Sequence, residues 1–380
     1  MSNSSWSPKD IKPGGWLFII LILAGLFWFV VKPRLAHNAA GTTTATAPTN
    51  ADTSNPMPIA ASPGNVIFLT TKTNLPWIKQ QVDEFNQTSP GFGIRVDTLA
   101  TREAMQGIHN HTAQPTIFNP STQLWLTRIG DLDHFVDNSS ADYKVLFKSP
   151  LVILTTKKNL PMVRQIFQGN NAWDNVRQQS KFGKLRFSFA DPINASSGTL
   201  TMSMMLREYA KRTGQTNLVA TANSAGFKSF LKDLTSGWER ANTQKSADLE
   251  KAYGQDQSNR DFITAYEAAA IKAVNDNSNL AFVYPNPTVD ANQAAAVLKA
   301  PWVSAEQRKN AEQFLAFLST PEQLAKAADF NFRPTINGAG ELESRVKGPA
   351  ASYFQTSYLS TETCPYAALN DAAAVWNGIR

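Results

Sequence analysis

From residue 65 to about 335, hydrophobic and polar positions follow two alternating periods. Short apolar runs bounded by turn residues read as buried strands: Val66 to Thr70, Ile94 to Leu99, Thr116 to Phe118, Leu185 to Phe189 and Leu280 to Tyr284. Between them, apolar residues recur at helical spacing, as in Leu75, Ile78, Val82 and Phe85 after Asn74, with Pro76 in the first turn. Glu103 to His111 reads as a short helix, and Asp261 to Val274 as another, with Phe262, Ala265, Tyr266 and Ala269 on one face. Val145 to Thr155 is a longer strand-like run interrupted by Lys148-Ser149-Pro150. Ser304-Ala305-Glu306-Gln307 and Thr320-Pro321-Glu322-Gln323 both fit the capping box that opens a helix. The tail from Asn337 is loop-rich, with one helix expected over Asn370 to Asn377. Strand–helix alternation of this kind predicts an α/β sheet with parallel pairing. Ligands then lie beyond the carboxyl ends of the strands, where Thr70, Thr71, Asn119 and Ser121 stand.

One stretch organises the rest. Ala190-Asp191-Pro192-Ile193-Asn194-Ala195-Ser196-Ser197-Gly198-Thr199 follows a strand and leads into Met202, Met205, Leu206 and Tyr209, one apolar helix face. A helix start carries free N–H groups and a partial positive charge. The Ser/Gly/Thr turn adds hydroxyl donors, and Gly198 would let a ligand approach the backbone, so the turn suits an anion. The same residues also serve as a plain N-cap. The residues alone leave both readings open. The Met202/Met205 stripe reads as core.

Composition narrows the setting. The 380 residues, 42% hydrophobic and 17% charged, suffice for a sizeable core and suggest two domains or one large two-lobed one. The net charge of +6 is scattered without a Lys/Arg run, which points away from nucleic acid. The single cysteine, Cys364, excludes an intramolecular disulfide. Pro13 to Val31 carries no charge; at 1.5 Å per residue it covers about 28 Å, the depth of a bilayer core. Lys32-Pro33-Arg34 follows in place of a cleavage site, so the span reads as an uncleaved anchor. Flanking charge does not set its orientation. Ala36 to Gly64, rich in Ala, Thr, Asn and Pro, reads as a flexible tether, which places the body outside the cytoplasm.

Several patterns then line up in order: Ser149-Pro150-Leu151-Val152-Ile153, Trp173-Asp174-Asn175-Val176, Asp191-Pro192 through Ser197-Gly198-Thr199, and Tyr266-Glu267. Val283-Tyr284-Pro285, Val297 to Val303, Phe314 to Ser319 with Pro321-Glu322-Gln323, and Asn331-Phe332-Arg333-Pro334 continue the series. Over residues 65 to 335 the chain resembles bacterial extracellular solute-binding proteins of the type 2 periplasmic-binding fold, in the branch often fused to a von Willebrand factor A domain. The resemblance implies an α/β, two-lobed fold with two hinge crossings, preceded by the one transmembrane helix. It divides the chain into an anchor, 1–35; a linker, 36–64; lobe I, 65–149 plus 291–380; and lobe II, 150–290. Thr70, Thr71, Asn119, Ser121, Ser149, Asn194, Ser196, Ser197, Gly198, Thr199, Glu267 and Tyr284 are then the expected ligand contacts in the cleft between lobes. The chain departs from the family's pattern at Ala113-Gln114-Pro115, where an Ala-Asp pair is usual. It also lacks a lipobox cysteine, and no A domain follows Val375-Trp376.

Motifs for catalysis and metal binding carry little. His109-Asn110-His111 has no third ligand nearby, and Ser229-Phe230-Leu231-Lys232 matches SxxK without its partner motifs. G-x-S-x-G, HExxH and the P-loop are missing, and Glu267 beside Tyr266 is a better receiver of a ligand's donor group than a general acid. The leading expectation is a non-enzymatic, cofactor-free binding protein in the bacterial inner membrane with its body on the periplasmic side. It would hold a small polar solute of oxyanion type, for transport or signalling, with a permease or a von Willebrand factor A-domain protein as membrane partner. The alternative is an interaction module that kept the fold and lost the ligand.

Overall fold

The structure is a computed structural model that describes residues 64–88, 90–137, 143–239, 245–336 and 338–379. The expected anchor and all of the expected linker except Gly64 lie outside these residues. Among the described residues no helix is long and apolar enough to cross a membrane.

The described strands run in the order β1 (Val66–Thr70), β2 (Ile94–Thr98), β3 (Ile117–Phe118), β4 (Tyr143–Thr156), β5 (Phe187–Ser188), β6 (Phe262–Tyr266), β7 (Leu280–Val283), β8 (Thr288–Val297), β9 (Arg333–Pro334) and β10 (Ser360–Thr361). They make one mixed sheet around β4. Residues 143–150 of β4 pair antiparallel with β8, and residues 151–156 pair antiparallel with β6 and β7. β8 carries β3, which carries β1 and β2. Parallel pairing, expected throughout, holds for β1 with β2 and β3, for β5 with β6, and for β10 with β8. The remaining pairs are antiparallel because β4 runs through both halves of the sheet, against β8 in the first and against β6 and β7 in the second. This mixed α/β sheet with many helices fits the two-lobed fold expected from the sequence.

Alternation along the strands sends side chains to opposite faces. Phe68 packs with Trp77, Phe85, Phe147 and Phe314, whereas Leu69 packs with Phe118, Trp125, Ile129 and Ala294. In the second half of β4, Leu151 and Ile153 join Trp173, Phe187, Met202, Met205 and Phe227. Val152 and Leu154 join Tyr253, Ile263, Ile271 and Phe282 on the other face. The methionines are core, as their spacing implied.

Two expectations fail here. Asp261 to Val274 is not one helix. Phe262–Tyr266 forms β6, all five residues buried between β4 and β5, and the helix Glu267–Asp276 starts only afterwards. Burial on both faces decides for strand, although the apolar spacing also matched a helix. The grouping of 291–380 with 65–149 fails in its last part: Ala294, Ala311, Phe314 and Phe332 do pack with residues of 65–149, but the core residues of 338–379 do not. Leu342, Val346 and Ala350 pack with Val152, Leu154 and Phe282. Ala368, Leu369, Ala372 and Trp376 pack with Phe189, Met205 and Phe227. Residues 338–379 therefore belong with the strands of 150–290, and the chain makes a third passage after β9, beyond the two hinge crossings expected. The apolar stripe of the C-terminal helix, Tyr366–Ile379, needs a face to bury against, and the helices Ser196–Thr213, Leu218–Ala222 and Ala225–Thr235 supply it.

Candidate functional site

A cavity of about 350 Å³ opens between the two halves of the sheet. One wall carries Thr71, Thr73, Thr98, Thr101 and Ser121; the other carries Asn194, Ser196, Ser246 and Tyr266. Lys72, Glu103, Lys245 and Asp248 stand exposed on its rim, two of each sign. The wall is thus neutral and rich in hydroxyls.

Three helices start at this cavity: Thr101–His109, Ser196–Thr213 and Ser246–Gln255. Their N-cap positions hold Ala100, Ala195 and Lys245, and none makes a side-chain cap hydrogen bond. Asn217, Ser224, Ser304 and Thr320 do cap their helices, whereas those starting after Asn74, Gln123, Asn159 and Asn171 are also without a side-chain cap. Uncapped N-termini direct partial positive charge at the cavity.

Across the cavity, hydroxyls form a directed relay. The Ser121 hydroxyl donates to Ser196 Oγ at 2.7 Å, and the Trp125 indole N–H donates to the same oxygen at 2.9 Å. Thr101 Oγ1 lies 2.9 Å from Ser121 Oγ. Ser121 has one proton and gives it to Ser196, so Thr101 is the donor to Ser121. Ser196 accepts twice, and its own proton remains for the cavity. Two buried hydroxyls beside it have no hydrogen-bond partner, Thr71 Oγ1 and the Tyr266 OH. Tyr266 is 2% exposed and lies next to Ser121 and Ser196. Burial, then the nearby Glu250 charge, raises its pKa, so it stays protonated. Glu250 turns its carboxyl inward to accept the Tyr266 N–H at 3.1 Å, and burial raises that carboxyl to about 8.

Of the residues expected from the sequence, Thr71, Ser121, Asn194 and Ser196 border the cavity. Thr70 and Asn119 lie beneath it. Thr70 Oγ1 donates to Asn119 Oδ1 at 2.8 Å, which also takes Asn74 Nδ2 at 3.0 Å, while Asn119 Nδ2 donates to the Ala294 carbonyl at 2.8 Å. Asn74 therefore braces a strand end instead of capping its helix. Ser197 meets Ser246, Oγ to Oγ 2.7 Å, and Thr199 donates to the carbonyls of Pro192 and Ala195. The close approach at Gly198 is made by the chain itself: a Cβ there would lie 2.0 Å from the Ala190 carbonyl oxygen. Ser149 Oγ accepts the Ala268 N–H at 3.1 Å at the crossing.

Glu267 and Tyr284 sit away from the cavity wall. Arg333 donates to Glu267 from Nε at 2.7 Å and from Nη2 at 2.5 Å, and the Tyr284 hydroxyl donates to the same carboxylate. Burial pushes the Glu267 carboxyl up while Arg333 and Tyr284 hold it down. Both oxygens of Glu267 are thus engaged by Arg333 and Tyr284 in the structure. His109 pairs with Asp133 at 2.7 Å, and no cluster of metal-ligating side chains occurs among the described residues. Sequence reading missed Thr101, Trp125 and Tyr266. Thr101 follows the end of β2 and Tyr266 ends β6, the rule that found Ser121. Tyr266 was hidden because β6 read as helix.

The chain matches the family of bacterial extracellular solute-binding proteins over residues 69–333. No curated protein matches it by sequence. Among solved structures it is similar to the sulfate-binding protein SubI from Mycobacterium tuberculosis H37Rv, with a TM-score of 0.57 and 15% identity, over 81% of this chain and 95% of that one. It is also similar to the periplasmic binding protein AfuA from Actinobacillus pleuropneumoniae, bound to fructose-6-phosphate, with a TM-score of 0.57 and 12% identity, over 83% of this chain and 98% of that one. For the apo ferric ion-binding protein A from Pasteurella haemolytica the TM-score is 0.54 and the identity 14%, over 83% and 95%. At these identities the likeness is one of fold.

Proposed function

The chain belongs to the bacterial extracellular solute-binding proteins, and we propose that it holds a small oxyanion without an acidic proton in the cavity between Ser121 and Ser196. One observation carries this reading: the uncommitted groups of the inner wall can all donate together. Thr71 Oγ1 and the Tyr266 hydroxyl have no well-formed partner, and the Ser196 proton, beside Tyr266, is able to turn to a ligand. The uncapped starts of three helices add backbone N–H groups and partial positive charge. An acceptor-only ligand satisfies such a wall, and sulfate, which SubI binds by name, is of this type. A ligand that must also donate finds no carboxylate on the inner wall.

In this proposal the uncharged run Pro13 to Val31 anchors the chain in the inner membrane, and residues 36 to 64 tether a body outside the cytoplasm. The natural partner is a permease of the transporter type that such binding proteins serve; a von Willebrand factor A-domain protein is the other candidate. Protease added to intact spheroplasts should remove the body. Digestion only after lysis would reverse the topology.

A second reading, an interaction module without a ligand, is favoured by direct bonds across the cavity. Besides the Ser121–Ser196 bond, Arg102 Nη1 donates to the Ile193 carbonyl at 2.9 Å. A thermal-shift screen of sulfate, molybdate, phosphate, amino acids and sugars separates the two. A ligand at about 100 times its dissociation constant stabilises by roughly 2.7 kcal/mol. The solute reading expects that increment from an unprotonated oxyanion. A flat response to every compound supports the module.

A further inference from the structure

The helix Leu124–Asp133 meets the opposite half of the molecule through Leu124, buried in the core that holds Phe189 and Met205, and through two side-chain fastenings, of which only one lies in the cavity. At the cavity, Trp125 donates its indole N–H to Ser196 Oγ at 2.9 Å. Outside it, the Trp125 ring meets Tyr366 edge-on, with centroids 5.8 Å apart at 67°. One turn further on, the Arg128 guanidinium stacks over the Tyr366 ring at 4.6 Å. Tyr366 opens the helix Tyr366–Ile379, whose Ala368, Leu369, Ala372 and Trp376 are buried with Phe189, Met205 and Phe227. So the C-terminal helix is built into one half of the molecule while its first residue grips the other half.

Arg128 makes no ion pair with any described residue, and its Nε is buried without a hydrogen-bond partner. Beyond the stack lies a cavity of about 890 Å³, lined by Arg128, Asp131, Asn292, Glu362, Tyr366 and Asp371 among others. The two halves therefore touch at the stack and separate beside it. A contact of this kind must break if the halves swing apart, and its loss frees the Trp125 indole from its orientation toward Ser196.

We propose that Tyr366, clasped by Trp125 and Arg128, is a closure latch that sets the open–closed balance of the cavity from outside it. This rests on the solute-binding reading for its purpose, not for its mechanics. A cation over an aromatic face and an edge-on aromatic pair together favour the closed form by roughly tenfold. Where the closed form is the one that binds, apparent affinity weakens by up to the same factor when the latch is lost.

The test uses the detergent-solubilised full chain in a Cys364→Ser background. Spin labels are placed at exposed positions on the two halves, Lys79→Cys and Lys228→Cys. Electron-electron resonance then reads the distance distribution without added ligand. Tyr366→Leu and Arg128→Met should each shift and broaden it, while Tyr366→Phe, which keeps the ring, should not. The sulfate dissociation constant should rise about tenfold in Tyr366→Leu. Superimposable distributions for Tyr366→Leu and the parent overturn the latch. If Tyr366→Leu disturbs its helix, Arg128→Met leaves that helix intact and decides by the same reading. A parent that fails to bind sulfate counts against the oxyanion and leaves the distance test standing.

Discussion

Arg333 and Glu267 face each other through two hydrogen bonds where neither side chain is more than 1% exposed. Arg333 lies on β9 and Glu267 at the start of the helix that follows β6. The guanidinium also donates to the carbonyls of Gln355 at 2.6 Å and Thr356 at 3.1 Å and packs against Phe354 and Tyr358, 4.7 and 4.8 Å to their centroids. One side chain thus ties the C-terminal segment to the crossing and holds the helix that starts just after Tyr266.

Arg333→Met should therefore be costly. It leaves a carboxylate buried with only the Tyr284 hydroxyl, a loss of about 3–5 kcal/mol. Denaturant unfolding measures it. Replacing both residues, Arg333→Met with Glu267→Leu, should cost less than the single change, because no buried charge is then left alone. Equal losses would show that packing of the Arg333 stem matters more than the pair.

Ser196 and Ser197 are adjacent in sequence and unequal in the structure. Ser196 Oγ receives Ser121 and Trp125, so Ser196→Ala leaves two buried donors without an acceptor. The expected loss is about 1–3 kcal/mol of stability, with sulfate binding reduced as well. Ser197 Oγ meets only Ser246, which can turn to water. Ser197→Ala should stay within about 0.5 kcal/mol and leave binding nearly unchanged. Melting with and without sulfate separates the two, and equal effects would place the site elsewhere on the turn.

Local pattern made most strands, the helix that starts at Ser196, and half of the cavity wall legible. Ser121 and Ser196 followed from the rule that ligands sit beyond strand ends. What stayed hidden depends on contacts distant in sequence. Phe262–Tyr266 carries helical spacing, and only its pairing with β4 and β5 makes it a strand and turns Tyr266 to the wall. Glu267 looked like a ligand contact because nothing near it in sequence announces Arg333, 66 positions away. The packing of Trp376 beside Phe189 could not be read from a tail whose stripe fits either half.

Gly198 separates packing from chemistry. The sequence suggested room for a ligand; the structure fills that room with the Ala190 backbone, 2.0 Å from an added Cβ. Gly198→Ala should force the helix start away from residues 190–191, costing about 1–3 kcal/mol or more. Its sulfate affinity should fall together with stability. A variant that melts like the parent would mean that the helix start shifts freely.

The Glu250 carboxyl gives a pH dependence with a fixed sign. Burial raises it from 4.5 to about 8, with only the Tyr266 N–H opposing. Between these values the unfolded chain has lost the proton and the folded chain keeps it, so stability falls as pH rises and levels off above 8. The slope from this group is at most about 1.4 kcal/mol per pH unit, less for the part that solvent screens. Glu250→Gln removes it. The melting advantage of the variant should therefore grow from pH 5 to pH 8, and an advantage that does not change with pH would show that the carboxyl is already ionised in the folded chain.

Tyr266→Phe isolates the anion reading. The Tyr266 hydroxyl is buried beside the Ser121 and Ser196 hydroxyls without a well-formed hydrogen bond, so the unliganded protein gains little from it. An unsatisfied buried polar group costs about 1–3 kcal/mol, and removing it should leave the melting temperature equal or higher. The ring stays, so packing is unchanged. With an oxyanion in the cavity the same hydroxyl becomes a donor to a charged acceptor, worth about 1.5–3 kcal/mol, or roughly 10- to 100-fold in affinity. The variant should therefore combine undiminished stability with a sharply reduced response to sulfate. A purely structural tyrosine would lose stability and keep its response. The ligand-free interaction module predicts a gain in stability with no sulfate response in parent or variant. Melting curves of the two proteins, each with and without sulfate, distinguish all three.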